Sequence, residues 1–365
     1  MKKFKVGVLG ATGMVGQNYI RLLENHPWFD VVYLAASANS AGMKYSDAVA
    51  GRWVMSTLIP ENIKDITVED VANIEKAKNC DFVFSAFEMP DKKLIKETEE
   101  KYASMGIPVV SNASANRKID DVPMLVPEIN PDHLDIIKIQ QKNHGWDQGE
   151  KHGFIVVKPN CSIQSYLTPI YALEQAGYPV VKIFVTTLQA VSGAGYPGVP
   201  SLDMIDNIVP YIGGEEEKTE TEPLKILGKI INGKFVNKKD LKISATCTRV
   251  PVSDGHTATV NIKFKNKIPN QEQIINIWKN FKSVPQKLDL PFAPIQPIIY
   301  KDEENRPQPK KDRDSGKGMA VTIGRLRKCN IFDYKFVALS HNTVRGAAGG
   351  GILNAELLVK KGHII

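Results

Sequence analysis

The chain reads as an α/β protein, and three features of its sequence say so. An apolar strand at residues 5–9 runs into Gly10-Ala11-Thr12-Gly13-Met14-Val15-Gly16 and then into a helical pattern. Short β-branched and aromatic runs then alternate with helical stretches, the order expected of a parallel sheet. Deep in the chain the run Phe154-Ile155-Val156-Val157 has the length and branching of a buried strand, and Lys158-Pro159-Asn160-Cys161-Ser162 ends it. Cys161 therefore falls at the C-terminal end of a strand, the edge at which α/β folds place their chemistry.

After the first strand, Val15, Tyr19, Leu22 and Leu23 recur at the period of an amphipathic helix. Strand, glycine turn and helix make the opening unit of a Rossmann fold, whose glycines bring backbone N–H groups to a pyrophosphate on the helix N-terminus. Gly10, Thr12, Gly13, Met14, Val15 and Gly16 are the candidate cofactor contacts, in the spacing G-x-x-G-x-x-G. The second strand, residues 31–36, ends without the acid that holds the ribose 2′-hydroxyl of NAD. Ser37-Ala38-Asn39-Ser40 follows instead, small donors with room for a 2′-phosphate, and Lys44 is near enough to offset its charge. Ser37 and Ser40 thus favour NADP(H).

Residues 65–80 mix acids, lysines and apolar side chains, and the strand at 81–86 brings Ser85 to a cofactor-facing end. A helix is expected at 92–105 and a strand at 107–110, leading to a polar loop in which Arg117 is aimed at an anionic substrate. Residues 128–146 read as a connection and 144–153 as loop, with His144 and His152 too far apart for one helical metal face.

Past the cysteine a helix is expected from Ile163, with Tyr166, Leu167, Ile170 and Leu173 inward and Gly177 as its stop. A thiol at such a helix start is acidified by the unpaired N–H groups, which makes Cys161 a candidate nucleophile. A strand at 181–189 leads into the glycine-rich loop 190–198, and Glu215-Glu216-Glu217-Lys218 reads as a solvated helix start. The strand at 242–252 carries Cys247, and residues 257–265 alternate as a half-buried antiparallel strand does. Between them His256 follows a glycine at a strand junction, where it can meet Cys161 as an acid/base partner. Residues 301–318, crowded with charge and carrying Pro307 and Pro309, read as an exposed loop or an inter-subunit arm. Strands at 319–325 and 336–339 precede a glycine-rich stretch from Asn342 that feeds a helix through Leu358.

At 365 residues the chain has length for two domains. Its cysteines, at 80, 161, 247 and 329, form no C-x-x-C pair, so neither a zinc site of that type nor a disulfide scaffold is expected and a reducing cytoplasm fits. The N-terminus lacks a signal-peptide pattern, and no apolar run approaches the length of a membrane span. The net charge of +7 is spread without a basic block, which argues against nucleic acid and suits phosphorylated small molecules.

With these motifs assembled, the chain resembles the aspartate-semialdehyde dehydrogenases, most closely their archaeal and fungal branch, over nearly its whole length. The resemblance rests on Gly10 to Gly16, Pro159-Asn160-Cys161-Ser162, Gln189 with Ser192-Gly193-Ala194-Gly195-Tyr196-Pro197-Gly198, Arg249-Val250-Pro251-Val252 with Gly255-His256, and the stretch from Asn342 to Gly350. It implies a Rossmann domain (residues 1–157 and 340–365) completed by the C-terminal helix, and a central α+β catalytic and dimerisation domain (158–339) with a mixed sheet. It also implies NADPH-dependent reduction of L-aspartyl 4-phosphate to the semialdehyde, towards lysine, threonine and methionine, by a homodimer or homotetramer. Cys161 would be the nucleophile, His256 the acid/base and Gln189 the residue orienting the acyl group. Arg249 would hold the substrate carboxylate, Glu215 its amino group, and Lys218, Arg117 and Asn160 the phosphate, with Ser192, Gly193 and Asn342 along the nicotinamide. The chain departs from the family at Asn39, where a basic residue is usual, at Lys158 and Ile163 beside the cysteine, and at His341, where Asp is common. Two readings compete: a malonyl-CoA reductase with the same cysteine chemistry, which need not keep Glu215, and a non-catalytic NADP sensor, which needs no Cys161–His256 pair.

Overall fold

In the computed structural model of the chain, which describes residues 3–89, 91–148 and 151–365, two six-stranded sheets carry the architecture. The first begins with β1 (Phe4–Leu9), β2 (Phe29–Ala36), β3 (Val68–Asp70), β4 (Phe82–Ser85) and β5 (Val109–Ser111). A hairpin, β6 (Asp147–Gln148) with β7 (Lys151–His152), precedes its last strand, β8 (Ile155–Val157). The order is β3-β2-β1-β4-β5-β8 with every pair parallel, the doubly wound arrangement whose ligands lie beyond the carboxyl ends of the strands.

Helices α1 (Met14–Leu23), α2 (Tyr45–Ala48), α3 (Lys92–Ser104) and α4 (Ile137–His144) join these strands. Helix α4 and the 3₁₀ turn Pro131–Ile136 ahead of it occupy the stretch that the sequence read as a connection. The apolar period fails there because a buried glutamine does the packing. Gln140 donates to Asp121 O at 2.9 Å and Ile155 O at 3.0 Å, and accepts from Ile155 N at 2.7 Å. The 144–153 stretch likewise contains the β6–β7 hairpin rather than loop alone, and two residues of that stretch, Gly149 and Glu150, lie outside the described residues.

Helix α5 (Leu167–Gln175) starts later than Ile163. Ser162–Ser165 form a 3₁₀ turn, Tyr166 leaves helical geometry at φ −127°, and Pro169, lacking an N–H, suits only the first turn of an α-helix. The second sheet follows: β9 (Val180–Gln189), then α6 (Glu215–Ile226), the hairpin β10 (Lys229–Ile231) and β11 (Lys234–Val236), β12 (Lys242–Arg249) and β13 (His256–Phe264). Helix α7 (Gln271–Asn280), closed by a capping box between Asn270 and Gln273, and α8 (Val284–Lys287) lead to β14 (Ile298–Lys301), α9 (Pro309–Asp312), β15 (Val321–Lys328) and β16 (Tyr334–Ser340). The sheet order is β12-β9-β13-β16-β15-β14, mixed because β12 runs parallel to β9 and β14 to β15 while the other pairs are antiparallel.

The chain ends on α10 (Gly349–Lys360), which returns to the first sheet: Ile352, Leu353, Leu357 and Leu358 share a core with Val6, Val8, Phe82 and Phe84. The charged 301–318 stretch is not simply an exposed loop. Asp312 is buried and pairs with Arg306, while Arg313 reaches Ser253 Oγ at 3.0 Å and braces the turn before His256. Among the described residues no helix is long and apolar enough to cross a membrane.

Candidate active site

The carboxyl end of β8 delivers Cys161, and Asn160 fixes how. Its Oδ1 accepts from Ser162 N at 2.8 Å and Ser162 Oγ at 2.5 Å, which folds the chain into the 3₁₀ turn after the cysteine. Its Nδ2 donates to both oxygens of Glu215, at 3.0 and 2.8 Å, and its backbone N–H donates to Glu222 Oε2 at 2.6 Å. The Asn160 side chain, assigned by resemblance to phosphate, is thus engaged at both ends by the protein.

Cys161 Sγ lies 3.3 Å from His256 Nε2. The other ring nitrogen, Nδ1, accepts from Ala190 N–H at 3.1 Å, so the neutral imidazole carries its proton on Nε2 and presents a donor to the sulfur. Ala190 O meanwhile accepts from Arg249 Nη1 at 2.9 Å, so one peptide turn after β9 aligns both the histidine and the arginine. Gly193 passes beside them. A Cβ on it would come within 2.6 Å of Arg249 Nη1 and 3.1 Å of His256 Nε2, which is why this turn carries glycine. Gly346 closes the other side, where a Cβ would lie 2.8 Å from that of Cys161.

The sequence argument for an acidified thiol fails. Helix α5, on which that argument relied, begins only at Leu167, so its N-terminus is not at the cysteine, and burial dominates. Burial, with the Glu215 carboxylate adding to it, pushes the Cys161 thiol up to about 11 against the opposing pull of Lys158, Arg117 and Arg249. Burial, helped by Arg249, pushes His256 down to about 3. The resting pair is a thiol and a neutral imidazole.

Around the pair stand the charged residues. Burial pushes Glu215 upward, but Lys218 at 2.8 Å, Asn160 and Gln189 Nε2 at 3.3 Å outweigh it and keep the carboxyl below its usual range. Arg117 Nη1 donates to Glu222 Oε1 at 2.9 Å in a pair buried on both sides. Glu222 therefore ties Arg117 to the backbone of the cysteine loop, a part the sequence reading missed. Its signal was present: Glu215, Thr219 and Glu222 follow one another at i, i+4 and i+7 and so share a face of α6. Lys158, beside the cysteine, is only 3% exposed, and burial lowers its ammonium to about 7.

On the nucleotide side the glycines divide. Gly10 has φ +77° and Gly16 would place a Cβ 2.1 Å from Gly10 O, so the protein itself demands both. A Cβ on Gly13 would meet nothing closer than Gly10 O at 3.5 Å. Gly13 is the exposed N-cap of α1 and has no side-chain cap, so Thr12, Met14 and Val15 border an open cradle of the shape a pyrophosphate needs. Ser37 is exposed and Ser40 buried at the end of β2, whereas Lys44 turns away to Asp65 at 2.9 Å. Ser85 lies at the end of β4, but its hydroxyl is fully buried and donates to Glu99 at 2.6 Å, not into the cleft. Asn342 Nδ2 donates to Ser192 Oγ and its Oδ1 accepts from Gly255 N–H, both at 2.8 Å, locking the loop of Ser192 to the strand start that bears His256.

The family model described as semialdehyde dehydrogenase, NAD binding domain, matches residues 5–137, and that described as semialdehyde dehydrogenase, dimerisation domain, matches residues 169–345. The chain is 47% identical to the aspartate-semialdehyde dehydrogenase of Archaeoglobus fulgidus over 98% of its own length and 99% of that protein's. It is 44% identical to the Saccharomyces cerevisiae enzyme of the same name, over 98% of each chain. The crystal structure of aspartate semialdehyde dehydrogenase with NADP from Candida albicans superposes with a TM-score of 0.90 at 42% identity, covering both chains completely.

Proposed function

The chain belongs to the aspartate-semialdehyde dehydrogenase family, and from that premise we propose that it reduces L-aspartyl 4-phosphate to L-aspartate 4-semialdehyde with NADPH and releases phosphate. The observation that carries this reading is the Cys161–His256 pair at 3.3 Å inside a ring of Arg117, Lys218, Arg249 and an ionised Glu215. Such a ring complements a substrate with a phosphate, a carboxylate and an ammonium. Arg249 takes the carboxylate, Glu215 the ammonium, and Arg117 and Lys218 the phosphate, which the Asn160 amide joins only by turning a donor away from Glu215. A CoA thioester without an amino group would leave Glu215 without a substrate partner.

In this mechanism the Cys161 thiol passes its proton to a phosphate oxygen of the bound acyl phosphate, the sulfur attacks the acyl carbon, and the C–O bond to phosphate breaks as the thioester forms and hydrogen phosphate leaves; the thiolate later released with the aldehyde regains a proton from solvent. Gln189 orients the acyl group. When bound, NADPH supplies the hydride, and Ser192, Gly193 and Asn342 border the space we assign to its nicotinamide. The alkoxide formed from the thioester expels the sulfur directly, giving the aldehyde. For His256, expected as the acid/base, we propose the role of a hydrogen-bond donor. With Nδ1 held by Ala190 N–H, giving up the Nε2 proton would leave an imidazolate, so the ring acts by donating a hydrogen bond to the sulfur as it attacks and as it departs.

We further propose that the chain divides at 157/158 and 339/340, the first cut at the end of β8 and the second one residue short of the end of β16. A homodimer or homotetramer accords with the exposed apolar side chains Leu202, Ile205, Ile208 and Tyr211 on the 196–212 segment. A cytoplasmic location accords with the free thiols of Cys161, Cys247 and Cys329.

The test is nicotinamide absorbance in the reverse direction with aspartate semialdehyde, phosphate and NADP. Phosphate-dependent formation of NADPH is expected. Silence there, with NADPH oxidised by malonyl-CoA, would move the substrate to the CoA-thioester class, and silence in both assays would leave a cofactor sensor.

A further inference from the structure

We infer that Arg52 recognises the 2′-phosphate of the cofactor and sets the preference for NADP(H) over NAD(H); the inference rests on the dinucleotide reading of the glycine turn. In α/β dinucleotide sites the residue at the end of the second strand faces the adenosine ribose. An acid there reads a 2′-hydroxyl, and a nearby arginine accommodates a 2′-phosphate. Here β2 ends at Ala36, residues 37–46 contain no acid, and Ser37 and Ser40 lie beside the end. The cation comes from elsewhere in the chain. Arg52 Nη2 donates to Ser40 Oγ at 3.0 Å and to Ala48 O at 2.6 Å, and Nε donates to Ala48 O at 2.8 Å.

This arginine is exposed, and among the described residues no carboxylate pairs with it. Its Nη1 has no protein acceptor among them. Lys44, by contrast, is spent on Asp65 at the surface. Two ties fix the arginine relative to the pyrophosphate cradle. Buried Gln17 donates to Thr12 O at 3.0 Å and Arg52 O at 2.9 Å and accepts from Val54 N at 2.9 Å, which joins the glycine turn to the segment bearing Arg52. Tyr45 Oη donates to Ala11 O at 3.0 Å and so anchors α2, the source of the Ala48 carbonyl on which the guanidinium rests. The planar fork is thus held between the cradle and the ribose end of β2 with donors to spare, as phosphate recognition requires.

Calorimetric titration of the whole protein with 2′,5′-ADP and with 5′-AMP tests this without turnover. The parent chain should prefer 2′,5′-ADP. Arg52→Gln should weaken 2′,5′-ADP by about 10- to 100-fold, the worth of one or two charge-assisted hydrogen bonds, while 5′-AMP stays within about twofold. Arg52→Lys, which keeps the charge but not the fork, should recover part of the loss. Unchanged 2′,5′-ADP affinity in Arg52→Gln, equal loss of both ligands, or a loss that appears instead in Lys44→Gln would overturn the assignment. No preference in the parent chain would remove the NADP reading itself.

Discussion

The two ends of the cleft are built by opposite means. The pyrophosphate cradle at the nucleotide end is local: a strand, a glycine turn and a helix within residues 4–23, shaped chiefly by backbone and by the absence of side chains at Gly10, Gly13 and Gly16. The catalytic end is assembled over distance. Cys161 and His256 are 95 residues apart, Asn160 and Glu215 are 55, and Arg117 and Glu222 are 105, each joined through side chains that must all arrive. A local site tolerates change in its surroundings and depends on space, whereas a site built from distant side chains depends on each of its pairs.

Chemistry at the catalytic end should therefore show the largest losses. Cys161→Ala should abolish turnover, by about 10⁴-fold or more, because the acyl acceptor is gone. The two variants of His256 separate its possible roles. His256→Ala should cost about 10²- to 10³-fold, the usual worth of one preorganised donor, while His256→Gln, which donates but does not titrate near neutrality, should recover about tenfold of that. Equal loss in both would restore proton transfer to the mechanism. In the ligand-free protein, alkylation of Cys161 by iodoacetamide should be slow at neutral pH and climb towards pH 11, following the raised thiol, rather than level off near 9.

What the sequence revealed follows the same division. The Rossmann unit was readable because β1, the glycine turn and α1 are neighbours with distinct periods, and the strand before Cys161 because Pro159 and Asn160 mark its end. The pairings were not. Nothing local says that Glu222 holds both Arg117 and the backbone of Asn160, or that Ala190 N–H sets the tautomer of His256. Resemblance supplied the names of catalytic residues, but their environments needed the fold. The acidified thiol was the casualty, since a 3₁₀ turn and burial replace the helix start on which that argument stood. Glutamine at the packed position of α4 hid that helix for a similar reason: its burial is satisfied by hydrogen bonds to Asp121 and Ile155, which no hydrophobic pattern records.

Glu222→Ala probes the longest of those pairings. It leaves the Arg117 guanidinium buried without its carboxylate and frees the Asn160 amide, so urea unfolding should show a loss of about 3 kcal/mol. The KM for phosphate in the reverse reaction should rise about tenfold as Arg117 loses its aim. An unchanged KM alongside lost stability would make Glu222 a scaffold residue and cut the proposed line from α6 to the phosphate.

The smallest effect belongs to Gly13→Ala at the nucleotide end, and its contrast with Gly16 distinguishes space the protein needs from space the ligand needs. Gly16→Ala forces a Cβ to 2.1 Å from Gly10 O and should prevent the turn from forming. Gly13→Ala meets only an ordinary contact at 3.5 Å with φ −79°, so stability should stay within about 1 kcal/mol, the scale of an N-cap change. Yet that added methyl projects from the mouth of the cradle, where a pyrophosphate would have to approach α1. The KM for NADPH should therefore rise, by about three- to tenfold, in a protein that unfolds at nearly its original midpoint. If NADPH bound Gly13→Ala as it binds the parent chain, the pyrophosphate would have to lie elsewhere along the turn, and the open space at Gly13 would lose its explanation.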